Sequence, residues 1–234
     1  MKNKVLLIAG VSGAGKSYLH GALDKEGFKK LITMTSREPR IGEVDGIDYF
    51  FKGPPYFERM IAGDKMIECA LVYGNYYGMS EGMFDEMVER ANGAPVYVIV
   101  DPLGVKAYQD ALKGRYNVKT LFLDCPVELR KLRIAARAQP DATDRELYQI
   151  AERLIVTEQF EERWKSMTTY DAYMPIMENE HDVEKAIRLV ERAFRDTHAP
   201  CYRSEEPAGF MPPEALVRQE MSLLRKSINL KISR

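Results

Sequence analysis

The stretch Gly10-Val11-Ser12-Gly13-Ala14-Gly15-Lys16-Ser17 constrains this chain more than any other, because the apolar run Val5-Leu6-Leu7-Ile8-Ala9 leads straight into it. A buried strand that enters a glycine-rich turn and leaves as a helix is a βα unit, and such a unit calls for a parallel neighbouring strand. The pattern is G-x-x-x-x-G-K-[ST]. Its glycines let the backbone turn tightly and aim its N–H groups inward, which makes an anion-binding nest. The helix expected from about 16 to 25 adds the positive end of its dipole. Lys16 would then reach the outer phosphates of a nucleoside triphosphate, and the Ser17 hydroxyl would take one Mg²⁺ position. Gly10, Ser12, Gly13, Ala14 and Gly15 complete the expected triphosphate contacts.

Downstream, strand and helix signals alternate. Strand character falls at 31–33, 66–73, 94–101, 118–123 and near 172–176. Helices are expected at 55–62, 81–90, 104–112, 126–137, from about 144 to 165, and at 182–195. The glycines around Tyr76 and Tyr77 make 74–80 read as a turn. This alternation predicts an α/β fold, a parallel sheet of the P-loop NTPase type with helices on both faces. Ligands then belong at the carboxyl ends of the strands, where the 10–17 loop and Asp101 both fall. Asp101 closes a buried-strand pattern, the place for an acid near the metal. Arg37 and Arg40 flank Pro39 in a loop and can form a clamp for one phosphate, since guanidinium forks match phosphate oxygens. Arg133 and Arg137 stand four apart, on one helix face with Arg130 nearby, and Arg153 lies in the next helix.

Bulk properties exclude several classes. The chain has 234 residues and a formal net charge of −1, so nothing draws it to nucleic acid or to an anionic membrane. Cys69, Cys125 and Cys201 are far apart and odd in number, which argues against a disulfide framework or a zinc knuckle and fits a reducing compartment. No apolar run reaches membrane-spanning length, and the Met1-Lys2-Asn3-Lys4 start is too short for a signal peptide, so the expectation is a cytoplasmic protein. Beyond Asp196, Pro200, Pro207, Pro212 and Pro213 punctuate a linker, followed by a candidate helix at 214–228 with Leu216, Met221, Leu224 and Ile228 at near-helical spacing. That helix can pack back on the core, mediate a homodimer or fray.

Two stretches resemble a known family. Thr33, Thr35, Arg37, Pro39, Arg40, Gly42, Glu43, Gly46, Asp48, Tyr49 and Phe51 fall on the guanylate kinase pattern S-x-T-T-R-x-P-R-x-G-E-x-x-G-x-D-Y-x-F. Glu68, Ala70 and Gly74-Asn75-Tyr76-Tyr77-Gly78 fall on that family's E-x-A-x-x-x-G-N-Y-Y-G-[ST]. The resemblance covers about 3–195 and implies a division of the chain. A kinase-like domain at 1–195 would have its core at 1–32, 93–125 and 166–195, a nucleoside monophosphate (NMP) region at 33–92 and a helical lid at about 133–153. The segment 196–234 would be a Pro-containing linker and C-terminal helix.

The resemblance also implies roles. ATP would be the phosphoryl donor, with Mg²⁺ on Ser17 and Asp101. Thr33 and Glu68 would face guanine, a carboxylate accepting from the N1–H and the 2-amino group together; adenine, with an acceptor at N1, would be repelled. Arg37, Arg40, Tyr49 and Tyr77 would hold the acceptor phosphate. Lys16, Arg133, Arg137 and Arg153 would neutralise the phosphoryl group in flight. Met79 stands where the family has Ser or Thr against the base, with Ser80 beside it, and Ile99 replaces an Asp two residues before Asp101. The implied reaction is ATP- and Mg²⁺-dependent phosphorylation of GMP or dGMP. Open alternatives are a different or modified (deoxy)nucleoside monophosphate or a ribosyl phosphate as acceptor, or a non-catalytic interaction module.

Overall fold

The computed structural model describes residues 2–40, 42–72, 74–136, 138, 142–159, 170–195, 218 and 220–224. Arg137, the linker from 196 to 217 and the expected helix end near 165 lie outside them.

The central sheet runs β2 (Lys29–Lys30), β7 (Val96–Ile99), β1 (Lys4–Gly10), β8 (Asn117–Leu123) and β9 (Ala172–Met174), each neighbouring pair parallel. Strands buried on both faces read as continuous apolar runs, and β1 does so from Val5 to Gly10. Helices α1 (His20–Lys25), α4 (Val105–Leu112) and α7 (Glu180–Arg195) pack against this sheet or its flanks. The main apolar core threads these elements and includes Val5, Leu7, Phe84, Val98, Tyr108, Phe122 and Val190.

Between β2 and β7 in sequence lies a second sheet, ordered β4 (Phe50–Phe51), β3 (Met34–Thr35), β6 (Asn75–Ser80) and β5 (Met66–Val72). Helix α2 (Pro54–Ala62) and helix α3 (Glu81–Arg90) belong to this insertion. Helices α5 (Val127–Ala135) and α6 (Asp144–Gln159) pair with each other further on.

Two sequence expectations change. Residues 31–33 are not a strand but the crossover between the sheets: the Leu31 N–H donates to Tyr97 of the central sheet, and the Phe50 N–H donates to the Thr33 carbonyl. Thr33 is thereby placed at the seam. Of the residues 74–80 read as a turn, only Gly74 is one; Asn75–Ser80 form strand β6, paired with β5 so that Val72 faces Asn75. The glycines serve closer needs: Gly74 has φ +70° in the tight connection, and at Gly78 a Cβ would lie 2.4 Å from the Glu68 carbonyl oxygen. Tyr76 stacks on Phe57 with ring centroids 5.3 Å apart, the kind of packing that favours aromatics in strands.

A second, smaller apolar cluster is separate from the main core. It joins Ile134 of α5 to Leu147, Ala151, Leu154 and Ile155 of α6, and it includes Leu224 from the C-terminal segment. No described helix is long and apolar enough to cross a membrane.

Candidate active site

The phosphate loop is built by close approach. A Cβ on Gly10 would lie 2.2 Å from the Leu123 carbonyl oxygen, and Gly13 has φ +76° with the Arg130 backbone 3.1 Å from where its Cβ would be. Only glycine fits either place. Lys16 curls over the loop and donates to the carbonyls of Gly10 (2.7 Å) and Val11 (3.0 Å). Helix α5 lies beneath the loop, with Arg130 fully buried there rather than on a solvated helix face. Arg133, expected at the transferring phosphoryl group, ties the loop down: it donates to the carbonyls of Gly13 (3.0 Å) and Met177 (2.6 Å).

A cleft of about 700 Å³ opens above this loop. Ser12, Gly13, Lys16 and Ser17 form one wall; Arg37, Arg40, Tyr49, Tyr77, Thr33 and Arg153 form the rest of the expected lining. The sequence spacing alone did not bring these together, because they come from the loop, the insertion and α6.

The cationic wall is organised in advance. Arg37 is buried and makes a two-point contact with Glu43, both N–O distances 2.9 Å, while also donating to the Glu38 carbonyl. Its guanidinium lies 5.5 Å from the Tyr49 ring centroid. Burial opposes the Glu43 anion, but hydrogen bonds from Arg37 and from the Arg40 N–H (2.7 Å) hold it below the usual carboxylate range. Arg40 titrates lower than an ordinary arginine, first through burial and then through the charges of Arg153 and Arg37. Like charges gathered at a partly dry site are stabilised by an anion between them. Burial and Tyr77 raise the Tyr49 phenol, so it stays protonated and able to donate.

Of the residues expected to face a base, Thr33 lines the cleft, whereas Glu68, Met79 and Ser80 are not among its lining residues. Burial, then the charge of Asp101, pushes the Glu68 carboxyl up to about 8. Its side chain packs on Gly104, where a Cβ would come within 2.9 Å of the Glu68 Cγ. Asp101 is thus felt at Glu68 and is not among the residues that line the cleft with Ser17. Met79 is fully buried in the main core, and Ser80 caps α3 by accepting from the Met83 N–H at 3.3 Å. Both residues, expected as substrate contacts, have packing and capping roles here.

Sequence reasoning missed part of the lining. His20, Asp24, Lys30, Asp48 and Tyr97 also border the cleft. The Tyr97 hydroxyl lies 3.4 Å from His20 Nδ1, and burial followed by Lys30 lowers the His20 pKa. The signal was present in the spacing of Lys16, His20 and Asp24, four apart and hence on one helical face.

A parallel sheet with a glycine-rich phosphate loop after its first strand, and a tyrosine–arginine clamp across the cleft, defines a P-loop phosphotransferase of the nucleoside monophosphate kinase class. Comparison with known proteins narrows this. A family model described as guanylate kinase matches residues 2–197. A guanylate kinase of Bacillus subtilis is 31% identical over 214 residues, spanning 87% of this chain and 97% of that protein. One from Symbiobacterium thermophilum is 34% identical over 155 residues, spanning 64% of this chain and 72% of that protein. The crystal structure of guanylate kinase from Anaplasma phagocytophilum superposes with a TM-score of 0.57 at 20% identity, covering 84% of this chain and 88% of that one, a likeness of fold. The chain belongs to the guanylate kinase family.

Proposed function

We propose that this chain transfers the γ-phosphoryl group of ATP to GMP or dGMP. One observation carries the reading: the phosphate loop with Lys16 and Ser17, the Arg37–Arg40–Tyr49–Tyr77 clamp and Arg153 all line a single cleft. An oxygen of the acceptor's phosphate attacks the γ-phosphorus, the bond to the β–γ bridging oxygen breaks, and ADP leaves with that oxygen. No side chain is needed as a nucleophile. What the chain supplies is position and charge: Arg37 and Arg40 hold the acceptor, Lys16 and Arg153 meet the negative charge in flight, and Arg133 fixes the loop from below. The carboxylate of Glu68, beside Asp101, takes the guanine N–H groups, with Thr33 at the seam nearby. The regions 33–92 and about 133–153 act as acceptor-binding and lid units, and Arg137 belongs to the lid set.

Mg²⁺ fits the donor set as a companion of the triphosphate. Among the described residues no group of three or more His, Cys, Asp or Glu side chains gathers to hold a metal alone, while Ser17 lines the cleft beside Lys16. Mg²⁺ retains waters and binds through few protein oxygens plus phosphates, and Ser17 supplies such an oxygen. Because Leu224 and Met221 are spent on the helical pair, the C-terminal helix serves its own chain and a homodimer through that face is disfavoured; sedimentation tests this. Dependence on ATP and GMP supports a cytoplasmic location.

The test is ADP release with ATP, Mg²⁺ and a panel of nucleoside monophosphates. Turnover confined to GMP and dGMP is expected. Turnover of another monophosphate instead would overturn the base assignment, and none at all would overturn the reaction.

A further inference from the structure

Helix α6 has two loaded faces. Arg153 lines the cleft. Leu147, Ala151, Leu154 and Ile155 are buried on the other side, in the small cluster with Ile134 of α5. None of these residues belongs to the main core. Two short helices offer each other only one stripe, and a helix pair of this size needs a third surface to fix its geometry. The described part of the C-terminal segment supplies that surface. Leu224 is 6% exposed and lies within the cluster, Met221 packs against it, and Leu223, one residue away, points outward at 51% exposed. An inward Leu224 and Met221 with an outward Leu223 is the pattern of an amphipathic helix docked on one side.

We propose that the C-terminal segment is a positioning element for the reaction: Leu224, with Met221, buttresses the back of α6 and so holds Arg153 in the cleft. This rests on the assignment of Arg153 to the transferring phosphoryl group. The consequence is specific. Arg37, Arg40, Tyr49 and Tyr77 come from the insertion, which shares no side chain with the small cluster. Loosening the buttress therefore misplaces the lid arginine directly and reaches the acceptor clamp only through the charge that Arg153 exerts on Arg40 and Tyr49. A displacement on the order of 1 Å at a charge-stabilising group can lower turnover by up to about 100-fold.

The experiment uses the full chain and four variants: Leu224→Asp, Leu224→Met, Arg153→Ala, and Leu224→Asp with Arg153→Ala. Steady-state kcat and the KM values for GMP and ATP are measured after circular dichroism has established the folded fraction at assay temperature. Leu224→Asp should lower kcat by roughly 10-fold or more with less than about a twofold change in the GMP KM, and Leu224→Met should restore it. In the Arg153→Ala background, Leu224→Asp should cost nothing further, because the effect passes through Arg153. Unchanged kcat in folded Leu224→Asp overturns the proposal, as does an equal fold-loss in both backgrounds, which would mark a general structural prop. Where Leu224→Asp does not fold, Leu224→Ala carries the same comparison with a smaller expected loss. A wild-type chain silent on every monophosphate would instead fail the reaction assigned above, so the two failures are distinguishable.

Discussion

Glu43, in the Arg37–Arg40 loop, and Glu68, on β5, are shifted in opposite directions. Each suffers from burial. Glu43 is rescued as an anion by the Arg37 fork and the Arg40 N–H, and its proton leaves more easily than usual. Glu68 has Asp101 for a neighbour instead, and burial with that second negative charge raises it to about 8. The phosphate end of the site is thus charged before any ligand arrives. Glu68, on the role proposed for it, gives up a proton more readily once something with N–H donors makes the carboxylate favourable. On the proposed function, the Arg37–Arg40 end takes any phosphate and the Glu68 end favours only a base with the right N–H donors.

The largest way to test this contrast is at the phosphate end. Lys16→Ala should lower kcat by about 1,000-fold or more with every monophosphate alike, since charge in flight is sequence- and base-independent. The fold should survive, because Lys16 is a half-buried side chain outside the apolar core, donating to the Gly10 and Val11 carbonyls of the loop. Steady-state rates across the panel check it; a loss that depended on the base would break the division between the two ends.

Next in size is the base end. Glu68→Gln leaves an amide N–H where guanine also presents N–H groups, so kcat/KM for GMP should drop by about 100-fold while acceptors lacking those donors change little. An equal loss for all bases would mean that Glu68 does not read the base.

A smaller effect follows from the titration itself. Below about 8 the free enzyme holds the Glu68 proton and must release it to accept from guanine, so kcat/KM for GMP should rise with pH through that value. Glu68→Gln should flatten that limb. Stability moves the other way. The folded state binds this proton more tightly than the unfolded chain, so the contribution is complete below 4.5 and is lost as pH rises toward about 8. Glu43 has the opposite sign, contributing at neutral pH and losing that contribution on acidification. Thermal unfolding of wild type and Glu68→Gln against pH separates the two.

Much of this was legible in the residues. The 10–17 loop carries its mechanism in local spacing, and the Arg37–Arg40 pair sits in one loop, so both could be read without coordinates. What depends on tertiary approach could not. Gly78 reads as turn punctuation until the Glu68 backbone is placed beside it, and 31–33 reads as a strand until two sheets are seen to share it. The strand expected to close on Asp101 ends at Ile99, and the Asp101 charge acts on Glu68, because the following turn through Gly104 brings β5 against it. The packing of the C-terminal segment was the least legible: four spaced apolar residues fit a dimer contact as well as the cluster that Leu224 joins with residues of α5 and α6.

The smallest prediction sharpens what kind of place the base end is. Tyr108 of α4 is fully buried, feels the Glu68 charge, and its hydroxyl has no hydrogen-bond partner among the described residues. A buried hydroxyl without a partner is a net cost, so Tyr108→Phe should raise stability by about 1 kcal/mol, measured by denaturant unfolding. The same variant should leave kcat/KM for GMP unchanged if the pocket works by dryness alone, since Phe excludes water as well as Tyr does. A loss of stability, or a shift of the pH limb toward higher values, would instead show the hydroxyl donating to the ionised Glu68. The base end would then be prepared for charge in the same manner as Glu43, and the contrast between the two glutamates would be one of degree.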